Sequence, residues 1–310
     1  MVKRLAHGNA PLTVTGGLML AALAASLAGL AVDPRIIAGA PAWLKPAKFA
    51  ASIALYTLTL AWIFTFLPEW AKTRRIVGWT TAIALIGELV IIDLQAWRGT
   101  TSHFNVGTTF DGVLWTIMGL TIVVQTLSSV AVAVALWRQR FAEGAMGWGL
   151  RLGMTITIVG AFSGGLMAQP TRMQLAAARA GQTMTTAGAH TVGAADGGAG
   201  IPGTGWSIAH GDLRVSHFLG LHAMQALPLV VLALGRKRFA ESTRVRLTLI
   251  AGGSYAALFS ILLWQALRGQ SVLAPDMLTL ATLAVWATIT ATAARMSVGR
   301  GALIHDVVTV

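Results

Sequence analysis

Hydrophobic residues fall into eight long stretches that are separated by more polar segments. Each stretch is close to the ~20 residues that a helix needs to cross a bilayer. Polar residues do not alternate with apolar ones along them, so the strands of a membrane barrel are not indicated. The pattern predicts an all-α fold, a polytopic transmembrane helix bundle of about eight spans. These spans are 12–32, 47–67, 76–97, 112–137, 147–168, 215–235, 247–267 and 276–294.

The first stretch has two interpretations. Lys3 and Arg4 precede an apolar run that ends in small residues, which is the layout of a signal peptide. The run continues to Val32, however, and that is long for the apolar region of a signal peptide. We therefore favour an uncleaved first helix, which also gives an even number of spans.

Basic residues indicate how the spans are oriented. They concentrate in the segments on one side of an eight-span chain, and the positive-inside rule makes that side cytoplasmic. These residues are Lys3, Arg4, Lys72, Arg74, Arg75, Arg138, Arg140, Arg236, Lys237, Arg238, Arg244, Arg246, Arg295 and Arg300. Both termini are thus predicted to be cytoplasmic. This bias accounts for the net charge of +12, with the lipid bilayer as partner. No soluble basic face for nucleic acid is evident.

Composition agrees with a membrane protein and limits its chemistry. Charged residues make up 11% of the chain and hydrophobic residues 55%, with a mean hydropathy of +0.69. A soluble domain has about 25% charged residues. Cysteine is absent, which excludes disulfides, thiolate catalysis, iron–sulfur clusters and cysteine-ligated zinc. A metal or haem would need His, Met, carboxylate or amide ligands.

Short motifs hint at an internal duplication. The sequence Gln-Ala-Trp-Arg-Gly at 95–99 recurs as Gln-Ala-Leu-Arg-Gly at 265–269, 170 positions later. Lys48-Phe49 and His217-Phe218 also occupy corresponding places, 169 positions apart. We predict two four-helix halves of parallel topology, residues 1–144 and 145–310. Chance similarity between apolar helices is the alternative.

One connection is much longer than the others, at about 169–213. Its first part, 171–180, has the pattern of a short amphipathic helix, and the part that follows, 181–211, is rich in glycine. Long loops in compact proteins are usually lids, binding loops or disordered linkers. Apolar residues such as Ile201 and Trp206 favour packing back onto the bundle over a disordered linker.

Polar residues collect in the half of the bundle predicted to be extracytoplasmic, and Glu88 is the most informative of them. It lies roughly 15 Å inside the outer end of its helix, at 1.5 Å per residue. An ionisable side chain is costly there and by default marks a functional site. Gln95 lies seven residues on, near the same helix face. We assign Glu88 a catalytic, proton-moving role; the alternative is a protonated carboxyl that holds two helices together.

Arg98 and Arg268 end their helices at the outer interface, each three residues after a glutamine, Gln95 or Gln265. Such pairs share a helix face. Two guanidinium groups suit a carboxylate, a phosphate or a haem propionate, so these four residues are candidate cofactor-binding residues. Snorkelling interfacial anchors are the alternative.

Three histidines are candidate metal or haem ligands: His103, in a short loop, and His217 and His222, on the sixth span. The spacing of five puts the last two about 140° apart on an unbroken helix, so that one metal would not take both. Pro228 follows and predicts a kink beside His222. A neutral histidine bonded to a neighbouring helix is the alternative. Helix N-capping explains the aspartates that open helices: Asp111, Asp212 and Asp276.

The segments 95–105 and 211–225, with their Ser-His-Phe-Asn and His-Phe-Leu-Gly-Leu-His motifs, resemble a group of uncharacterised bacterial multi-pass membrane proteins. The resemblance implies a bacterial plasma-membrane location and carries no function. The layout of twice four helices is also similar to that of haem A synthase, which has haem-ligating histidines in matched helices of both halves. Here Lys48 stands opposite His217, and that function is not carried over.

Three functions agree with these patterns, and whether the protein is an enzyme stays open. The first is a redox or metal-dependent protein with haem or a transition metal on the candidate histidines, Glu88 as proton carrier, and a quinone or small molecule as substrate. The second is a proton- or cation-coupled transporter centred on Glu88 and Asp93. The third is a membrane-embedded metal-dependent hydrolase or lipid-modifying enzyme. A structural subunit without chemistry is the remaining alternative.

Overall fold

A computed structural model describes residues 8–237 and 239–308, with side chains up to residue 299. Several residues used above lie outside this description. They are Lys3, Arg4 and Arg238, together with the side chain of Arg300.

The described chain is an all-α bundle, which confirms the predicted fold class. Its helices are α1 Ala10–Val32, α2 Leu44–Phe64, α3 Ala71–Trp97, α4 Thr109–Arg138, α5 Gly144–Ser163, α6 Arg172–Arg179, α7 Leu213–Leu221, α8 Ala223–Gly235, α9 Glu241–Leu267 and α10 Met277–Val308. A 3₁₀ turn, Gly164–Leu166, extends α5. Seven helices are long and apolar enough to cross a membrane, or eight spans if α7 and α8 form one broken span. Each predicted stretch lies on one of these helices or on the α7–α8 pair. The largest differences are at α9, which begins six residues earlier than predicted, and at α10, which continues 14 residues further.

Sheet structure in the described residues is confined to two antiparallel pairs of two-residue strands in the loops. Strand β1 (Ile36–Ile37) pairs with β2 (Ala40–Pro41). Strand β3 (Thr191–Val192) pairs with β4 (Gly211–Asp212).

The chain packs as two compact units. Unit 1 contains Met1–Ala135, Gly165–His190 and Ala194–Gly205; unit 2 contains Leu136–Gly164, Thr191–Gly193 and Trp206–Val310. Unit 1 therefore holds the first four spans and most of the long loop, and unit 2 holds the later spans. The duplication into residues 1–144 and 145–310 stays a prediction.

Unit 1 is held together by close helix packing and by buried polar contacts. Gly16 of α1 faces Leu58 of α2 so closely that an added Cβ would lie 2.7 Å from the leucine side chain. Gln125 of α4 donates to Tyr56 Oη at 2.8 Å, and Ser129 Oγ lies 3.1 Å from the same hydroxyl. Lipid provides little hydrophobic drive for helix association, so small residues and polar contacts matter more than in water.

Unit 2 is built on glycines of α5. A Cβ added at Gly160 would meet the backbone of Gly220 in α7 at 2.5 Å, and one at Gly153 would meet the carbonyl oxygen of Ala223 at 2.9 Å. Side chains larger than hydrogen would therefore separate these helices. The apolar side chains of α10 are mostly exposed to the surroundings, as expected of a lipid-facing span.

The sixth span is broken at His222, where α7 and α8 meet at a bend of 50°. The predicted kink beside His222 is therefore present, although Pro228 itself lies inside α8, six residues after the break. The hydroxyl of Thr157 in α5 donates to the carbonyl of Leu221 at 3.3 Å and accepts from the amide of Met224 at 3.0 Å. A side chain from another helix thus satisfies the backbone groups that the break releases.

The long loop begins with the predicted short helix, α6. Thr171 caps it, accepting from the amide of Gln174, while the Gln174 side chain accepts from the amide of Thr171. This reciprocal capping box explains why the helix begins where it does.

Candidate functional site

Glu88 and His103 meet inside unit 1. Glu88 lies on α3 and is only 4% exposed; His103 lies in the loop that follows this helix. The Nε2 atom of His103 is 3.6 Å from Oε1 of Glu88. From the sequence, Glu88 is expected to transfer a proton and His103 to bind a metal. The structure makes them neighbours.

Aromatic rings surround the imidazole of His103. The ring centroids of Phe49 and Trp115 lie 5.3 Å and 5.5 Å from it, and that of Phe104 lies at 6.1 Å. Phe104 has a φ angle of 61°, which is unusual for a bulky residue and is maintained only where the surroundings impose it. Sequence reasoning missed these three rings, although Phe104 directly follows the histidine. We call Phe49, Phe104 and Trp115 the aromatic cage.

The long loop covers the aromatic cage. The amide of Ala187 donates to the carbonyl of Phe104 at 2.8 Å, and the amide of Val106 donates to Thr185 O at 3.0 Å. The His190 ring lies 4.9 Å from that of Phe104, and its Nδ1 atom is 2.7 Å from Asp196. The expectation that the loop packs back onto the bundle is therefore confirmed for this part of the chain.

The surroundings of His103 disfavour its charged form. Burial, the nearby charge of Lys45 and that of His190 hold the pKa of His103 well below its usual 6.5. The contact between His103 and Glu88 is therefore not an ion pair near neutral pH. Ser102 Oγ lies 3.2 Å from Nδ1 of His103, while Oε2 of Glu88 is buried and has no hydrogen-bond partner among the described residues.

Acid is expected to destabilise the protein through His103. Because the folded state keeps this histidine neutral, the unfolded chain binds more protons once the pH falls below about 6.5. Stability should fall from that point by up to about 1.4 kcal/mol per pH unit. The melting temperature in detergent between pH 8 and pH 5 measures this slope. His103→Asn should flatten it and His210→Asn, at an exposed histidine, should not; equal slopes in all three proteins would contradict the prediction.

A second polar cluster joins the end of α3 to the start of α4. Asp111 accepts from Gln95 Nε2 at 2.7 Å and from Thr108 Oγ1 at 2.6 Å, and it pairs with Arg98 at 2.6 Å. Thr108 rather than Asp111 caps α4, since the amide of Asp111 donates to the hydroxyl of Thr108. The N-cap assignment of Asp111 is thus wrong.

Unit 2 contains a similar arrangement. Arg268 pairs with Asp276 and also donates to Thr279 Oγ1 at 3.2 Å. Gln265 is buried and donates to the carbonyl of Ser271 at 2.8 Å. The aspartates predicted to cap helices in this unit do so, since Asp212 accepts from the amide of Arg214 and Asp276 from that of Thr279.

The two arginine-bearing helix ends share one backbone geometry. Gly99 and Gly269, with φ angles of 77° and 74°, follow the last helical turns. In each case the next amide donates back to the glutamine carbonyl, from Thr100 to Gln95 and from Gln270 to Gln265. This is the Schellman arrangement, which needs a left-handed residue and so favours glycine. Each guanidinium is thereby aimed at an aspartate of its own unit.

The remaining candidate histidines lie in unit 2. Nδ1 of His217 is 2.7 Å from the carbonyl of Gly160, so this nitrogen carries the ring proton. His222 stacks against Phe218 with ring centroids 4.2 Å apart and hydrogen-bonds with Gln225. Among residues 8–237 and 239–299, no three His, Asp or Glu side chains are arranged to hold a metal ion. Binding of a haem or metal by some of His103, His217 and His222 therefore stays a prediction from sequence.

Comparison of the chain with protein-family models, with curated proteins and with solved structures gives no match. The functional assignment therefore depends on the geometry of the site.

Proposed function

We propose that the protein is a proton-coupled membrane transporter in which Glu88 and His103 together bind and release the coupling proton. The observation that carries this proposal is the contact between a buried carboxyl and a buried imidazole beneath the aromatic cage. Ionisable groups inside membrane proteins are costly, and they mark proton and ion pathways.

The chemistry requires one proton and two bases. When Nδ1 of His103 donates to Ser102, Nε2 presents its lone pair to Glu88. A protonated Glu88 can donate to it once the 3.6 Å separation closes by a few tenths of an ångström. Transfer breaks the O–H bond of Glu88 and forms the N–H bond of His103. The charge of Lys45 opposes the imidazolium product. The imidazolium therefore returns the Nε2 proton to Glu88, or its Nδ1–H bond breaks and that proton passes to the hydroxyl of Ser102.

The other proposed chemistries find less support in the geometry. Arg98 and Arg268, expected to hold a carboxylate, a phosphate or haem propionates, are each paired with an aspartate. The histidines do not form a three-ligand set among the described residues. Haem or metal binding, and a hydrolase or lipid-modifying activity, therefore stay predictions from sequence.

The proposed location is a bacterial plasma membrane with both termini in the cytoplasm. The distribution of basic residues supports the orientation, and the resemblance to bacterial multi-pass proteins supports the membrane. In this orientation the Glu88–His103 pair lies in the extracytoplasmic half of the bundle.

Infrared spectroscopy tests the proton site directly. The difference spectrum between alkaline and acidic samples of the purified protein should contain a carbonyl stretching band of a protonated, buried carboxyl. Glu88→Gln should remove this band, because the amide cannot bind the proton. His103→Asn should shift its frequency by changing the hydrogen bond to the carboxyl.

Glu69→Gln is the matched control, because it removes a carboxyl that is exposed in the loop between α2 and α3. It should leave the band unchanged. A band that survives Glu88→Gln with its full intensity would show that Glu88 does not bind the proton, and the proposal would fail.

A further inference from the structure

One face of α3 carries polar residues along its whole length. Arg74, Thr81, Glu88 and Gln95 follow one another at intervals of seven residues. Seven residues make almost two turns of a helix, so these side chains lie nearly in line. All of them belong to unit 1. We call them the polar stripe.

Three members of the polar stripe have buried polar atoms without a hydrogen-bond partner among the described residues: Nε of Arg74, Oγ1 of Thr81 and Oε2 of Glu88. Such atoms are rare, and each one calls for an explanation such as an ion or water. The hydroxyl of Thr57 shows the usual solution, since it donates to the carbonyl of Ile53 in its own helix at 2.8 Å. Thr81 is as deeply buried as Thr57 yet makes no such bond.

At its Arg74 end, which is the start of α3, the polar stripe borders a cleft. A cavity of about 210 Å³ lies at Arg74 and is also lined by Asn9 and Trp79. The side-chain amide of Asn9 donates from Nδ2 to the backbone carbonyl of Arg74 at 2.8 Å. Its side chain lies directly on Gly78, where an added Cβ would be 2.3 Å away. Polar groups therefore extend from the cleft to within one turn of Thr81.

An apolar group closes the stripe between Thr81 and Glu88. Leu85 lies on the same face, four residues after Thr81 and three before Glu88. It belongs to a buried cluster with Met19, Ala50, Ile53, Ala54 and Leu89. A constriction of this kind keeps water and protons out until it moves.

We propose that Glu88 exchanges its proton with the solvent at the Arg74 end of α3, by way of Thr81 and past Leu85 acting as a gate. This proposal rests on the proposed function, since it supplies the second access route that a transporter needs. Thr81 and Glu88 are about 10 Å apart along the helix axis, so the proton crosses on water that enters when Leu85 moves.

Opening the gate by mutation tests the proposal. Leu85→Ser should admit water and raise the passive proton leak into proteoliposomes by about tenfold or more. A trapped pH-sensitive dye under an imposed membrane potential reports this leak, whatever the orientation of the protein. Adding Thr81→Val to Leu85→Ser should return the leak close to the wild-type value, because valine has no hydroxyl group to pass the proton along the proposed route.

Two controls accompany the test. Leu150→Ser replaces a leucine of α5 that is also buried and should not produce the leak. Thr57→Val, combined with Leu85→Ser, removes a buried hydroxyl outside the stripe and should leave the leak high. If Leu85→Ser does not purify as a folded protein, Leu85→Ala takes its place with the same expected direction.

The outcomes separate the two proposals. Absence of a leak in both Leu85 variants, or a leak that Thr81→Val does not reduce, would overturn the access route. The proton site itself would be overturned by two results together: a leak in Leu85→Ser that adding Glu88→Gln does not reduce, and an infrared band that Glu88→Gln does not remove.

Discussion

The Gly160→Ala variant is expected to lose at least about 3 kcal/mol of unfolding free energy, the upper end of the usual range for overpacked cores. The new Cβ would lie 2.5 Å from the backbone of Gly220, and backbone cannot move aside as a flexible side chain can. The helices α5 and α7 must separate, which would also break the bond between His217 and the carbonyl of Gly160. Thermal unfolding in detergent, followed by circular dichroism, measures the loss.

Gly253→Ala provides the matched control in the same unit. Nothing lies within 4 Å of a Cβ added at Gly253, so alanine should be tolerated there and should even stabilise α9 by about 1 kcal/mol through its higher helix propensity. Similar melting temperatures for the two alanine variants would show that the close approach of α5 and α7 does not determine stability.

The Asp111→Ala variant should have the second-largest effect, a loss of about 2–3 kcal/mol. Removing one partner of a fully buried ion pair typically costs about 3–5 kcal/mol, and here the arginine side chain is 32% exposed. The substitution also leaves Gln95 without its acceptor. Because Arg98 and Asp111 flank the loop that carries His103, we expect the infrared band of Glu88 to shift as well.

Asp276→Ala in unit 2 tests whether burial of the ion pair causes the large effect expected for Asp111→Ala. Asp276 is 39% exposed, so water and salt weaken its attraction to Arg268. Its loss should lower the melting temperature by less than half as much as the loss of Asp111. An equal or larger effect at Asp276 would contradict the role assigned to burial.

Hydrophobic patterning predicted the spans because lipid allows few alternatives to a helix. The predicted stretch 12–32 is α1, Ala10–Val32, and the stretch 112–137 is α4, Thr109–Arg138. The short helix α6 was predictable as well, since Thr171 and Gln174 form a local capping box. In each case the deciding interactions lie within one segment.

The candidate site was predictable only in part. Glu88 stands out in the sequence because a carboxyl in an apolar span is costly. The sequence does not show that His103 is its partner, because the conformation of the loop after α3 brings this imidazole to Glu88. Phe49 of the aromatic cage comes from a different helix, α2. The same holds for the apolar gate, in which Met19 of α1 and Leu85 of α3 meet.

The sequence by itself thus determined which segments form helices long and apolar enough to cross a membrane, and which residues would be costly to bury there. Only the tertiary structure decided which side chains these residues contact. At the break of the sixth span, Thr157, 65 positions before His222, satisfies backbone groups on both sides. Arg98 pairs with Asp111 and Arg268 with Asp276, each across the loop that begins at a left-handed glycine, Gly99 or Gly269. Contacts between distant residues depend on how helices pack, and helix packing depends on many side chains at once.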